Sequence, residues 1–340
     1  MGLGNRCEKC GGSMEFNPST SGLICRKCGS TTTFESSNNY SSHVFNMDVE
    51  ASEQKFEPEV LSSHCSNCGA IYGADTSNIA DKCEYCGAHL VRDFSLANES
   101  KPDACIPFAF DKNTAKQKFK DGLASKKFLP SKFKKDVPDG GIESEYIPAY
   151  LFNIETENQY SGRIYRTYSN SDGSRDKSYR NIAGIEKVVS NNILIECSSK
   201  INQLTLDKIR PFDLNNLKAF TNEFLLGYSV EYYDKQLENI KSMVKETVKY
   251  NVRKQILRKY SYDGVDYLNI NTKYNSCAYS RVLLPTYRFS YKYGGKDYNT
   301  YINGQTGKVG GNLPRSKFKI TAFVLGIIGV VGLLLYFLLT

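Results

Sequence analysis

The chain has 340 residues, a formal net charge of +8, eleven cysteines and only three histidines. Because His43, His64 and His89 all precede residue 90, the rest of the chain has no imidazole base for a Ser-His or Cys-His nucleophile. Composition therefore argues against those enzyme classes and directs attention to the cysteines.

Eight of the cysteines form two copies of one pattern, C-x2-C-G, thirteen residues, C-x2-C-G. The ligand positions of the two copies are Cys7, Cys10, Cys25, Cys28 and Cys65, Cys68, Cys83, Cys86. Each C-x2-C turn points two thiolates at one centre, and the glycine after it lets the backbone turn back without a Cβ clash. Two facing turns make a closed four-thiolate site of the kind that binds structural zinc. We therefore predict two zinc ribbons with two Zn²⁺ per chain.

Two other interpretations of the cysteines are weaker. Disulfides need an oxidising compartment, and the first residues, MGLGNRC, contain no apolar segment of signal-peptide length. Iron also binds four thiolates, but zinc is the usual metal of isolated ribbons with this spacing. A zinc ion saturated by four thiolates folds a small domain and does not catalyse.

The breaks in composition predict an α+β protein with five regions: zinc ribbon 1 at 1–34, a linker at 35–60, zinc ribbon 2 at 61–95, a basic α+β domain at 104–312 and a transmembrane anchor at 320–340. Residues 35–60 are rich in Ser, Asn and acidic residues, which favours a flexible linker. We therefore expect the two ribbons to be uncoupled from the central domain.

For the central domain, the sequence predicts antiparallel strands with one short and one long helix. Asp111 is the expected N-cap of a helix over 112–127. Alternating, Tyr-rich segments predict these strands: 146–156 paired with 159–169, then 178–189, 192–198, 264–282, 283–293 and 296–303. A turn is expected at Ser171-Asp-Gly-Ser.

A short motif, [IL]-P-x-Y-x-F, occurs at Ile147–Phe152 and again at Leu284–Phe289. Proline can begin a strand or stand at a sheet edge, so each copy is expected to start a strand. The repeat predicts a duplicated α+β unit, with chance recurrence of a short apolar motif as the alternative.

The long helix is predicted over 231–259. Its apolar stripe is Leu237, Ile240, Val244, Val248, Val252 and Ile256, and a basic row follows it from Lys241 to Arg258. From Lys241 onwards there are sixteen basic and four acidic residues, so residues 1–240 carry a net charge of −4. The basic row suits a solvated face, a phosphate-binding face or attraction to anionic lipid.

Residues 320–340, ITAFVLGIIGVVGLLLYFLLT, contain no charge and span about 31 Å as a helix, the thickness of a bilayer core. Arg315, Lys317 and Lys319 precede this segment, so the positive-inside bias places residues 1–319 in the cytoplasm. The sequence thus predicts a single-pass C-terminal anchor. Ala322 and Gly326 could let two such helices approach, which leaves the oligomeric state open.

The paired cysteine turns, Ile106-Pro-Phe, the strand at Leu283–Tyr287, the Tyr301–Lys308 hairpin and the terminal anchor together resemble a family: the membrane-anchored TFIIB-type zinc-ribbon proteins of Gram-positive bacteria, often labelled PriA-like helicases. Some members are encoded beside PspA-like or flotillin-like stress proteins. The resemblance implies a cytoplasmic-face adaptor that recruits such scaffolds in an envelope-stress response.

The sequence argues against the helicase label, because it lacks the phosphate-binding loop of a helicase motor. No G-x4-G-K-[ST] loop occurs, and Gly307-Lys308 has Ile302 where the first glycine belongs and Val309 where Ser or Thr belongs. Cys105, Cys197 and Cys277 stand alone in apolar strands and are expected to be small buried residues. We therefore expect no enzyme.

The sequence favours a membrane-anchored zinc-ribbon adaptor that binds protein partners. The alternative is a membrane-tethered nucleic-acid-binding protein that uses the Lys241–Arg258 row and stacking tyrosines. The ribbons carry few basic residues and each zinc-tetrathiolate centre adds a charge of about −2, which favours the adaptor.

Overall fold

The computed structural model describes residues 6–47, 63–64, 71–72, 78–83, 85, 89–91, 101–135, 141–198, 200–231, 233, 235 and 237–339. These residues form an α+β fold whose sheets are mainly antiparallel. The strands are β1 (Met14–Asn17), β2 (Gly22–Cys25), β3 (Thr31–Thr32), β4 (His43–Val44), β5 (Ser63–His64), β6 (Ile71–Tyr72), β7 (Asn78–Lys82), β8 (His89–Val91), β9 (Ala104–Cys105), β10 (Gly141–Ser169), β11 (Arg175–Glu196), β12 (Lys218–Ala219), β13 (Ser229–Glu231), β14 (Gly264–Tyr293), β15 (Lys296–Asn303) and β16 (Val309–Gly311). The helices are α1 (Lys112–Ala124), α2 (Ser131–Lys135), α3 (Gln203–Ile209), α4 (Leu237–Leu257) and α5 (Lys317–Leu339).

Two long antiparallel strands, β10 and β14, form the spine of the molecule. Their register runs from Gly141 opposite Ser290 to Tyr165 opposite Gly264. The 29 residues of β10 extend about 95 Å at the usual rise of a strand. Strand β11 returns antiparallel to β10, and the turn between them is the predicted one at 170–174. We call the three-stranded far end, residues 156–169, 175–188 and 264–274, the blade.

The predicted splitting of the long strands is wrong. The segments 146–156 and 159–169 form one strand, as do 264–282 with 283–293, and 178–189 joins 192–198 through a bulge beside Asn153. Along β10 every even-numbered residue from 152 to 164 is buried, so the alternation never changes phase. Asn158 lies in the gap between two predicted strands, but it is fully buried and its amide donates to Glu186 O (3.1 Å). A polar residue with internal partners extends a strand rather than ending it.

The same order of elements occurs twice in the central domain. Strand β9, helix α1 and the hairpin β10–β11 are followed by strand β13, helix α4 and the hairpin β14–β15. Each short strand pairs in parallel with the long strand of the other set, β9 with β14 and β13 with β10. The two motif copies lie side by side, with Ile147 opposite Leu284. This arrangement agrees with duplication, which stays a prediction.

Helix α4 packs on the inner face of the blade. The predicted apolar stripe is the buried one, with Val244, Val248 and Ile256 fully buried against the sheet. The helix begins at Leu237 rather than at 231 because residues 229–231 form β13. Lys241 does not belong to the exposed basic row: its Nζ lies 3.4 Å from Asn46 O and above the ring of Phe45.

The predicted linker is docked over its first half. Ser37 O accepts a hydrogen bond from Ala219 N (2.7 Å), His43 and Val44 pair with β14, and Met47 is buried. Apolar residues at 45 and 47 within the polar stretch explain the docking, because burying them offsets the entropy of ordering the chain. Residues 48–60 lie outside the described part.

Helix α5 contains the predicted anchor and starts three residues earlier than 320. Lys317–Phe337 is long and apolar enough to cross a membrane, and none of it is buried within the protein. Its base contacts the loop between α1 and α2, since Ser316 N donates to Phe128 O (2.8 Å) and Lys319 Nζ donates to Leu129 O (2.9 Å).

Candidate metal centre

The first predicted ribbon is a three-stranded sheet, β1–β2–β3, with a cysteine turn on each side of its hairpin. Each turn is closed in the same way: Gly11 N donates to Cys7 O (2.8 Å), and Gly29 N donates to Cys25 O (2.9 Å). Gly11 and Gly29 adopt φ of +68° and +72°, a conformation that favours glycine. The glycine after each C-x2-C is therefore required by backbone geometry.

The four sulfurs of this copy converge. The Sγ atoms of Cys7, Cys10, Cys25 and Cys28 all lie within 4.8 Å of one another. The Cys7–Cys28 and Cys10–Cys25 sulfur distances are 3.6 and 3.5 Å. A tetrahedron with zinc–sulfur bonds of about 2.3 Å has sulfur–sulfur edges of about 3.8 Å, so the cluster has the size that such an ion needs. This group could bind a metal ion.

Ser30 stabilises negative charge on two of the sulfurs. Its Oγ lies 3.0 Å from Cys7 Sγ and 3.1 Å from Cys28 Sγ. The Ser30 hydroxyl is the main cause that lowers the pKa of Cys28 to about 6, and it lowers the pKa of Cys7 as well. For Cys10, the Gly12 amide lowers the pKa, but Cys28, burial and the other thiols outweigh it and raise the pKa to about 12. Adjacent thiolates repel one another, and a dication at the centre would remove that repulsion.

Gly12 leaves room for the sulfurs. A Cβ at this position would lie 3.1 Å from Cys25 Sγ, 3.4 Å from Cys10 Sγ and 2.9 Å from Lys27 Cβ. A side chain here would therefore press on two of the four ligands. This is a packing constraint on the cluster that the C-x2-C-G pattern does not include.

The second predicted site is only partly within the described residues. Cys83 is buried with 2% of its surface exposed, whereas Cys65, Cys68 and Cys86 lie outside that part. The hairpin β7–β8, which ends beside Cys83, is an extension of the main sheet because β7 pairs with β13. A second metal ion stays a prediction.

The first cluster is joined to the core of the central domain. Cys7, Cys25 and Phe16 belong to one buried cluster with Phe108, Tyr146 and Phe224. Phe16 N donates to Leu226 O (2.8 Å), and the Phe16 ring packs edge-on against Phe224 at 5.4 Å. Contrary to the expectation from sequence, this ribbon is coupled to the central domain, because its own sheet buries one face against it.

The three single cysteines are buried, as predicted. Cys105 and Cys197 are fully buried and Cys277 is 5% exposed. Burial raises the pKa of Cys105 and raises that of Cys277 to about 11, so both stay protonated at neutral pH. These thiols act as small apolar residues of the core.

Two features were missed from the sequence. The first is Ser30, which could have been found because a hydroxyl residue two positions after the last cysteine occurs in one copy only, Ala88 being its counterpart in the other. The second is a lysine-rich segment, residues 112–135, which contains nine lysines and one aspartate, Asp121. The net charge of −4 over residues 1–240 conceals this local excess of positive charge.

No family model matches the chain, and no solved structure matches it. Among curated proteins, it is similar to the uncharacterized protein YdjG of Bacillus subtilis (strain 168). The two are 28% identical over 339 residues, which cover 97% of this chain and 95% of the relative. The match therefore extends over nearly the whole length of both chains.

Proposed function

We propose that this protein is a non-enzymatic membrane-anchored adaptor. In this proposal α5 spans the membrane, residues 1–319 lie on the cytoplasmic face, and two zinc ribbons present a surface that recruits protein partners. The supporting observation is that the four-cysteine cluster and the base of α5 pack onto one core. Cys7 and Cys25 share a buried cluster with Leu129, whose carbonyl accepts from Lys319 at the start of α5.

Zinc in such a site would supply folding free energy rather than catalysis, because four thiolates leave no open coordination position. A ribbon held rigidly on the domain that carries the anchor has a fixed position relative to the membrane. Its exposed turns carry Glu8, Lys9 and Lys27. These turns are the part of the ribbon that a partner can reach, since the opposite face is buried.

The family resemblance supplies candidate partners, namely PspA-like and flotillin-like scaffolds. The competing function is nucleic-acid binding through α4, where Lys245, Lys249, Arg253, Lys254 and Arg258 are exposed beside Tyr250, itself 64% exposed. Phosphate binding by this row would be strongly salt-dependent.

Site-specific photocrosslinking of the full chain in cells separates the two functions. A photoreactive residue placed at Lys9 or Lys27 should yield one protein adduct that is absent when the probe stands at Ser171, an exposed residue of the distal turn. A probe at Tyr250 should yield no nucleic acid. Nucleic-acid adducts at Tyr250 together with no adduct at the ribbon turns would overturn the adaptor in favour of the alternative.

A further inference from the structure

Helices α1 and α2 and the loop between them, residues 112–135, carry nine lysines and one aspartate. Six of the nine lysines of residues 112–135 are exposed, and we call them the α1–α2 lysine surface: Lys116, Lys120, Lys126, Lys127, Lys132 and Lys135. Within the described part of the chain, no acidic side chain forms an ion pair with these six. The single acidic residue of the segment, Asp121, accepts a hydrogen bond from Gln117 (2.9 Å).

The position of this surface is fixed by contacts with the base of α5. Besides the two hydrogen bonds to Phe128 O and Leu129 O, the ring of Phe128 packs against that of Phe323 with centroids 5.4 Å apart. Phe323 lies six residues into α5, about 9 Å along the helix axis. If α5 crosses a bilayer, Phe128 is therefore held near the level of the headgroups, and the exposed lysines that flank it in the chain lie close to that level.

A groove beside this loop adds two further cations. It lies between α1 and the turn before β16, with a volume of about 330 Å³, and it is lined by three lysines, Lys118, Lys126 and Lys308, together with Ser125 and the carboxylate of Asp121. From residue 298 to the end the chain has no acidic residue. The charged residues next to the base of α5 are thus mostly basic, with Asp121 as the exception in this groove.

The basic row of α4 is a separate surface. Helix α2 packs through Phe133 on Tyr291, next to where β10 begins, whereas the end of α4 reaches Tyr160 through Tyr260. Nineteen residues of β10 separate these levels, which corresponds to about 60 Å of strand. This exceeds the screening length of about 8 Å at physiological salt several-fold, so the lysines of α2 and the charges at the far end of α4 act independently.

We infer that the α1–α2 lysine surface binds the anionic phospholipid headgroups of the leaflet that α5 enters. The inference rests on the proposed membrane insertion of α5. Each lysine held near an anionic leaflet strengthens the attraction roughly fivefold, so several together would orient the domain on the membrane. Phe128 fits the same boundary, because phenylalanine side chains on the apolar face of interfacial segments are buried between headgroups and acyl chains.

The test uses the full chain in nanodiscs of phosphatidylcholine alone or with phosphatidylglycerol, and an amine-reactive label read by mass spectrometry. We expect Lys126, Lys127, Lys132 and Lys135 to be labelled at least about threefold more slowly when the anionic lipid is present. The lysines of α4 serve as an internal control whose labelling should not change. About 0.5 M salt should remove the protection, since it screens the attraction. Equal labelling in both kinds of disc would overturn the inference.

Matched variants give a second measurement. One fourfold variant should lose the protein's preference for binding spin-labelled phosphatidylglycerol over phosphatidylcholine: Lys126→Gln, Lys127→Gln, Lys132→Gln and Lys135→Gln. A matched fourfold variant on α4 should keep that preference: Lys245→Gln, Lys249→Gln, Arg253→Gln and Lys254→Gln. Retained selectivity in the first variant would contradict the inference. Resistance to alkaline carbonate extraction reports insertion of α5 separately, so failure of the anchor is distinguishable. Protection of the α1–α2 lysines by added RNA in discs without anionic lipid would assign the surface to nucleic acid instead.

Discussion

Ser30 is the residue that most clearly distinguishes the two cysteine repeats. At the same offset that relates the cysteines, Ser30 corresponds to Ala88 and Gly12 corresponds to Ala70. In the first copy the Ser30 hydroxyl lies within hydrogen-bond distance of two sulfurs, and Gly12 has no side chain to press on two of them. The repeats therefore share their ligands and the glycine after each cysteine turn but differ at these two neighbouring positions, and the metal affinities of the two sites are expected to differ.

Ser30→Ala introduces the residue of the second repeat into the first. Loss of a hydrogen bond to coordinating sulfur should weaken metal binding at the first site by about tenfold. Titration with a competing chelator, followed through the cobalt–thiolate absorption of the substituted protein, measures this, and the second site is the reference in the same sample. An unchanged affinity would mean that Ser30 contributes nothing to the bound state.

Glu145 is a buried carboxyl at the junction of β10 and β13. It is 2% exposed, its Oε2 lies 3.4 Å from Arg288 Nε and 4.0 Å from Lys200 Nζ, and no described donor reaches its Oε1. Burial raises its pKa from the ordinary 4.5 to about 7, with the two cations opposing the shift. Between about pH 4.5 and about pH 7, Glu145 thus keeps its proton in the folded protein and loses it in the unfolded chain.

Glu145→Gln should flatten the pH dependence of stability. A carboxyl whose pKa is raised in the folded state stabilises the protein below pH 4.5, and this contribution is lost as the pH rises to about 7. The unfolding free energy of the wild type relative to the variant should therefore fall by about 2 kcal/mol between about pH 5.5 and about pH 8. Urea unfolding in detergent at the two pH values measures the difference. Parallel profiles would show that Glu145 is not protonated near neutral pH.

At the level of elements, the sequence allowed prediction of what depends on local pattern. Residue spacing predicts the apolar stripe of α4. One capping residue predicts the start of α1, where Thr114 N donates to the Asp111 carboxylate (2.8 Å), and the turn residues predict the turn at 170–174. The unbroken length of β10 could not be predicted. Whether Asn158 ends a strand depends on Thr272 and Glu186, which are distant in sequence.

Asn158→Ala tests that explanation. Removing the amide leaves the Thr272 hydroxyl without its acceptor and takes the side-chain donor from Thr156 Oγ1 and Glu186 O, which should cost about 1–3 kcal/mol of unfolding free energy. Asn271→Ala is the control, because Asn271 lies on the same blade with its side chain exposed. Equal effects of the two changes would indicate that the buried hydrogen bonds do not support the strand.

The docked segment 37–47 is also an element that pattern alone did not predict. Its sequence is mostly polar, and only Phe45 and Met47 indicate burial. One partner of this segment is Lys241, which spacing assigned to the exposed basic row. A lysine can bury its methylene stem beside an aromatic ring, so its place in a charge row does not establish exposure.

For the whole molecule, the predicted metal count is the most direct test of the repeats. Native mass spectrometry of the purified chain should show two zinc ions, one for each set of four cysteines. Cys7→Ser should remove one of them and Cys65→Ser the other. A wild-type content below about 1.5 zinc per chain would contradict the second site, since a closed four-thiolate site binds zinc tightly at neutral pH.

The coupling of the first ribbon to the central domain changes what metal removal should do. An independent ribbon on a flexible linker would unfold alone. This ribbon shares a buried core with Tyr146 and Phe224, and its Phe16 N donates a hydrogen bond to Leu226 O. Mild chelation should therefore accelerate hydrogen exchange in residues 224–228 as well as in residues 6–34, because the amide of Phe16 is the partner of Leu226 O. The blade strands at 156–164 pack on α4, and their amides should exchange at an unchanged rate.

Phe16→Ala removes the ring contact with Phe224, so in this variant chelation should accelerate exchange in residues 224–228 less than in the wild type. Faster exchange confined to residues 6–34 in the wild type would mean that the metal stabilises the ribbon alone.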